Sequence, residues 1–232
     1  MSAVAVPGAF TRSVSFYSTT VGKKVVMAVT GIILFGFLLG HMAGNLQFFL
    51  GPDVINAYAE NLRHVPTLLW TARIGLLVAA VLHVASSISL VRIQNAARPV
   101  GYVKKTNVGS SYASRTMYWS GPIVLAFLIY HLLHLTFGVV HPNFHHLKAY
   151  ENLVLGFSNP VVAIAYIISI LLLGLHLYHG LWSMFQTLGA AHPRYTPKLK
   201  AFAKVFTAII VLGFISVPIA ILAGLRPGQD IV

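Results

Sequence analysis

Five stretches of this chain, 25–50, 68–93, 118–140, 160–186 and 202–225, are apolar over a length that matches the thickness of a bilayer. A hydrocarbon core of about 30 Å takes roughly 20 helical residues to cross. No water is present there to satisfy backbone N–H and C=O groups, so a spanning segment must be a helix or part of a closed barrel. The five runs approach or exceed that helical length. They predict an all-α integral membrane protein with five transmembrane helices. Only 9% of residues are charged and 57% are hydrophobic, where a soluble domain carries about a quarter charged. The connections are short and hold turn-formers such as Gly51-Pro52-Asp53, Arg98-Pro99, Ser158-Asn159-Pro160 and His192-Pro193. The reading is one membrane domain over 25–225, an N-terminal tail over 1–24 and a short tail over 226–232.

Charge orients the spans. If all five are real, Arg12, Lys23, Lys24, Arg92, Arg98, Lys104, Lys105, Arg115, Arg194, Lys198, Lys200 and Lys204 share one side, 12 of the 16 basic residues. The other side keeps Arg63, Arg73, Lys148 and Arg226 with all four acids, Asp53, Glu60, Glu151 and Asp230. The positive-inside rule then puts the N-terminus in the cytoplasm and the C-terminus outside, in a prokaryotic cytoplasmic membrane. The net charge of +12 is thereby explained as a topology signal, and nucleic-acid binding is a poor reading of it. The first residues read as a cytoplasmic tail with a short interfacial helix near 10–17. Their basic residues follow rather than precede the apolar stretch, unlike a signal peptide.

Inside the spans a histidine pattern repeats. TGIILFGFLLGH (30–41) aligns with SGPIVLAFLIYH (120–131), and LHVASSISLV (82–91) aligns with LHLYHGLWSM (175–184). His41, His131, His83 and His176 fall in register. A lone membrane histidine usually bonds a neighbouring helix, but matched pairs are functional-site candidates. At 1.5 Å per residue His41 lies roughly 24 Å along its span and His131 roughly 20 Å, both in the outer half. His83 and His176, on spans running the other way, lie roughly 22 and 24 Å along, in the inner half. The two levels differ by roughly 15 Å, which suits two bis-histidine haems stacked in a bundle of the first four helices. The chain has no cysteine, so any haem is held non-covalently and no cysteine-ligated cluster resides here.

His134 and His179 each follow a pair member by three residues on roughly the same helix face. They are second-choice ligands, or contacts for a haem propionate or a quinone. The repeat favours His131 and His176, and His131 against His134 stays open. Gly40 and Gly174 offer cofactor clearance or helix packing equally, while Gly31 and Gly121 favour packing. Tyr130, Tyr178 and Trp182 are placed to stack on a porphyrin. Ser86, Ser87 and Ser89 lie toward the cytoplasm from His83. Arg73, Arg92 and Arg115 are simplest as topology anchors, and Trp70, Tyr118 and Trp119 as interface aromatics. His64, His141, His145, His146 and His192 fall in connections, where solvated roles are the default. No acid lies convincingly inside a span, so no carboxylate proton relay is traceable.

Four local patterns carry a family resemblance: GHMAGN with His41 and Asn45, VLHVASSISL with His83, LIYHLLHL with His131, and LHLYHGLWSMF with His176. The chain resembles the single-polypeptide, five-helix, di-haem cytochrome b membrane anchor of succinate:quinone oxidoreductases and fumarate reductases. The resemblance covers about 24–224. The most specific match is a histidine followed five residues later by Leu-Trp-Ser, which selects His176 over His179. The Tyr-His-Leu-Leu-His doubling departs from the plain pattern. The resemblance implies two haems b with His41, His83, His131 and His176 as iron ligands, and a quinone of the menaquinone type. It also implies a flavoprotein subunit and an iron–sulphur subunit docked on the cytoplasmic face. Succinate chemistry would belong to those partners, since no dinucleotide fingerprint occurs here. The rival readings are a cytochrome b subunit of another respiratory oxidoreductase and a haem-free transporter with metal- or proton-binding histidines.

Overall fold

The computed structural model describes residues 16–100 and 110–228. The interfacial helix expected near 10–17 falls largely outside the described residues, as do Arg12, Lys104, Lys105 and Asp230. The described residues form seven α-helices and no strand: α1 (Thr20–Leu46), α2 (Pro52–His64), α3 (Pro66–Ala97), α4 (Tyr112–His131), α5 (Ala149–Phe157), α6 (Pro160–Thr187) and α7 (Thr196–Leu222). Five of them, α1, α3, α4, α6 and α7, are long and apolar enough to cross a membrane. The protein is therefore read as a multi-pass membrane protein.

Helix starts follow from local chemistry. Thr19 accepts the Gly22 N–H at 2.9 Å, Ser111 accepts that of Ser114 at 3.1 Å, and Asn159 accepts that of Val161 at 3.0 Å. Proline opens α2, α3 and α6, where its missing N–H costs nothing. Gly51, at φ +98°, makes the turn into α2 that a side chain would strain.

Around the bundle the helices run α3, α1, α6, α4. Each packs along the next, and α7 covers the outside of α1 and α6. α3 and α4 do not pack along each other, and neither do the diagonal pairs α1 with α4 and α3 with α6. At their basic ends α3 and α4 meet through Tyr118, whose hydroxyl donates to Asn95 Oδ1 at 3.3 Å.

The two ends of the bundle differ. The end at the close of α1 carries α2, α5 and the chain's last described residues, and is termed the cap end. The other, where Lys23, Lys24, Arg92, Arg98, Arg115 and Lys200 lie, is termed the basic end. The cap-end connections, expected from sequence to be short links, instead fold into α2 and α5, which pack on each other and on the bundle. Their apolar residues are too few to span a membrane but enough to bury one face. Phe48, Ile55, Tyr150, Leu153, Val154 and Phe157 join Ala163, Tyr166, Val217, Ala220 and Ile221 in the main buried cluster. Tyr150 stacks on Phe48 at 5.1 Å and donates its hydroxyl to Pro227 O at 2.9 Å. Asn56 ties the two cap helices, donating to Glu151 at 3.1 Å and accepting the Tyr150 N–H at 3.0 Å.

Candidate functional site

The repeat-related histidines meet in the pairs that their depths suggest. The His41 and His131 ring centroids lie 5.8 Å apart with planes at 80°. Those of His83 and His176 lie 6.2 Å apart with planes at 58°. Each pair bridges one diagonal of the bundle, α1 to α4 and α3 to α6, so both meet between helices that do not pack along each other. Their separation along the axis follows from α1 itself. His83 Nδ1 lies 3.2 Å from Thr30 Oγ1, and Thr30 and His41 are eleven residues apart on one helix. At the helical rise that is about 16 Å.

Protonation is fixed at one ring. His83 Nδ1 faces the Met27 carbonyl oxygen at 3.1 Å, and a carbonyl only accepts, so Nδ1 carries the hydrogen. Thr30 gives its own hydroxyl hydrogen to Val26 O at 2.7 Å. His83 Nε2 is left with its lone pair, the arrangement in which a backbone carbonyl orients a metal-ligating imidazole. Gly31 lies alongside, where a Cβ would stand in ordinary contact with His83 Cε1 at 3.5 Å. Buried and without a hydrogen-bond partner among the described residues are His131 Nδ1, His176 Nδ1 and Thr207 Oγ1. Two of these three orphaned atoms belong to the paired histidines.

Each pair offers two imidazoles, the number that a bis-histidine haem iron takes from a protein. Two imidazoles bound to one metal through bonds of about 2 Å place their ring centroids roughly 6 Å apart, as both pairs stand. Among the described residues no group of three or more His, Cys, Asp or Glu is arranged around an ion. A bare structural or catalytic ion asks for three or four protein ligands, whereas a porphyrin leaves only two positions for the protein. No protein-family model, curated protein or solved structure matches the chain.

The remaining candidates take other places. His134 does not join His41; it is buried at 1% exposure, with Nδ1 3.0 Å from Tyr166 Oη. No hydrogen bond or ring contact joins His179 to another described residue, so its role is still that of a second-choice candidate. Gly40 opens onto space, whereas a Cβ on Gly174 would meet Val211 of α7 at 2.6 Å, which makes Gly174 a helix-packing residue. Tyr130 stacks on His134 at 5.4 Å, and Trp182 lies under Lys200 Nζ at 4.8 Å. Asn45 returns its amide to the His41 carbonyl at 2.7 Å. Ser86 is fully buried and hydrogen-bonded to the Tyr17 hydroxyl at 3.3 Å.

Two further residues, one unremarked in the sequence and one expected to be solvated, belong beside this site. Tyr166 lies in contact with both His131 and His134. His141, expected to be a solvated loop residue, is 6% exposed and stacks on His134 at 4.7 Å. Its ring nitrogens lie 2.8 Å from Pro142 O and 2.9 Å from Asn152 O. A helical signal is readable for α5, where Lys148 precedes an apolar AYENLVLGF. Nothing in the local sequence marks Tyr166.

Proposed function

We propose that this chain is the membrane anchor and di-haem cytochrome b subunit of a succinate:quinone oxidoreductase or fumarate reductase, with one haem b held by His41 and His131 and the second by His83 and His176. The observation that carries the reading is the meeting of two histidine pairs on the two bundle diagonals, about 16 Å apart along the axis. Bound haems would supply one-electron transfer between a soluble donor at one end and a quinone in the membrane. The chain's own residues do the holding. Met27 O fixes the tautomer of His83, and Thr30 buttresses the same nitrogen. Two protein ligands on iron leave no open position, which favours electron transfer over oxygen binding.

The basic end would face the cytoplasm by the positive-inside rule and dock the flavoprotein and iron–sulphur partners. The cap end would face outward. A menaquinone-type quinone is the expected acceptor, and His179 remains a candidate contact for it or for a propionate. The deciding experiment is a reduced-minus-oxidised spectrum and haem count on the purified chain. Two b-type haems per chain are expected, and absence of a b-type α-band sinks the reading. Co-purification with a flavoprotein dehydrogenase then separates this family from other respiratory cytochromes b.

A further inference from the structure

The Tyr-His-Leu-Leu-His run, 130–134, offers two histidines for one position opposite His41. In an uninterrupted α-helix, residues three apart share a face and would compete for it. The chain is not α-helical there: Leu132–Thr136 forms a π turn, closed by the Phe137 N–H on Leu132 O at 2.9 Å. A π turn bonds i to i+5 and swings the residues within it around the axis relative to an α-helix. His131, the last α-helical residue, faces His41, and His134, inside the π turn, faces elsewhere.

The place that receives His134 is closely fitted. Tyr130 stacks on one face at 5.4 Å and 11°, and His141 on the ring at 4.7 Å and 26°. Tyr166 Oη bonds Nδ1 at 3.0 Å, and a Cβ on Gly156 of α5 would stand 2.8 Å from His134 Cε1. His141 gives its ring hydrogen to a carbonyl, Pro142 O or Asn152 O, and Tyr166 bonds His134 through its hydroxyl, so these groups hold rather than await a ligand. We propose that Tyr166 and Gly156 are ligand-selecting residues: by retaining His134 between α4, α5 and α6 they leave His131 as the histidine that faces His41. The proposal rests on the reading of His41 and His131 as an axial pair, and it makes Tyr166 a positioning residue that acts through His134.

The test uses the full-length chain, purified in mild detergent with any subunits that accompany it. Haem content and low-spin electron paramagnetic resonance are read for Tyr166→Phe, Gly156→Ala, His131→Ala and the pair His131→Ala/Tyr166→Phe. Tyr166→Phe removes the bond that retains His134, and Gly156→Ala crowds its ring, so the two variants reach one place by independent routes. The expected result is a shifted or doubled signal from the cap-side centre alone, with the basic-side signal unmoved. His131→Ala is expected to lose the cap-side haem, and the double variant to regain it through His134. Because Tyr166 also touches His131, it is the shift in Gly156→Ala or the recovery in the double variant that supports selection. Two haems with unmoved signals in Gly156→Ala, and no recovery in the double variant, overturn it while leaving the cytochrome reading intact. A parent chain without haem overturns both together.

Discussion

At the cap end Phe48 and Tyr150 are fully buried, and Asn56, Asn152 and Tyr150 tie α2, α5, the 137–148 connection and the C-terminal stretch to one another. Among the described residues of the basic end Val100, Trp119 and Val21 are 77%, 74% and 62% exposed, and side-chain ties there include Tyr17 to Ser86 and Tyr118 to Asn95. Lys23 is the exception, buried there with its ammonium donating to the carbonyls of Tyr17 and Ser18 at 2.9 Å each. One histidine pair thus sits beneath a lid made by α2 and α5, and the other lies toward the end that carries Lys23, Lys24, Arg92, Arg98, Arg115 and Lys200.

The comparison breaks first if the two histidine pairs are not independent. His41→Ala is expected to remove the cap-side haem and His83→Ala the basic-side one, each lowering the count from two to about one per chain. His176→Ala should match His83→Ala, and His179→Ala should retain both haems. A haemochrome assay measures this directly, and loss of both haems from either His41→Ala or His83→Ala would mean that the two levels form one site. Next in size is the packing contrast. Phe48→Ala empties a fully buried ring site in the cap and should cost about 3–5 kcal/mol, read as earlier loss of helicity on heating. Trp119→Ala, at an exposed lipid-facing or interfacial position, should move stability by only about 0.5 kcal/mol.

Much of this is legible in the sequence, and for identifiable reasons. The five long helices follow from apolar runs that have one solution in lipid, and the pairing of His41 with His131 and of His83 with His176 follows from a repeat and a helical rise. What stays hidden depends on tertiary contact. α2 and α5 are short, and their mixed polarity makes sense only once Phe48, Ile55 and Tyr150 pack together. His141 looks like any loop histidine until α5 folds over it and Asn152 supplies a carbonyl. The separation of His134 from His131 turns on a π turn, which carries no signature of its own, and the His134 ring within it bonds Tyr166, thirty-two residues away.

A smaller effect tests how the cap is fastened. Asn152 donates its amide to His145 O at 2.7 Å and accepts the His145 N–H at 2.9 Å, while its own carbonyl lies against His141. Asn152→Ala removes both side-chain bonds and should cost about 1–3 kcal/mol, with faster amide exchange over 137–148 and little change over α3. Exchange that rises equally in α3 would show that the cap is not a separate unit.

The smallest effect expected is at the opposite end. Tyr17→Phe removes the hydroxyl that meets Ser86, one helical turn from His83, and keeps the ring that lies under the Lys23 ammonium at 5.1 Å. Ser86 is fully buried, so a stranded hydroxyl would be costly if it had no alternative. It has one, because a serine within a helix can turn its hydroxyl to the carbonyl one turn back. The cost should therefore fall near the low end of a hydrogen bond, about 0.5 kcal/mol, and the basic-side haem count should not change. A loss as large as that of Asn152→Ala would mean that Tyr17 closes the basic end as firmly as the cap closes the other, and the asymmetry between the ends would no longer stand.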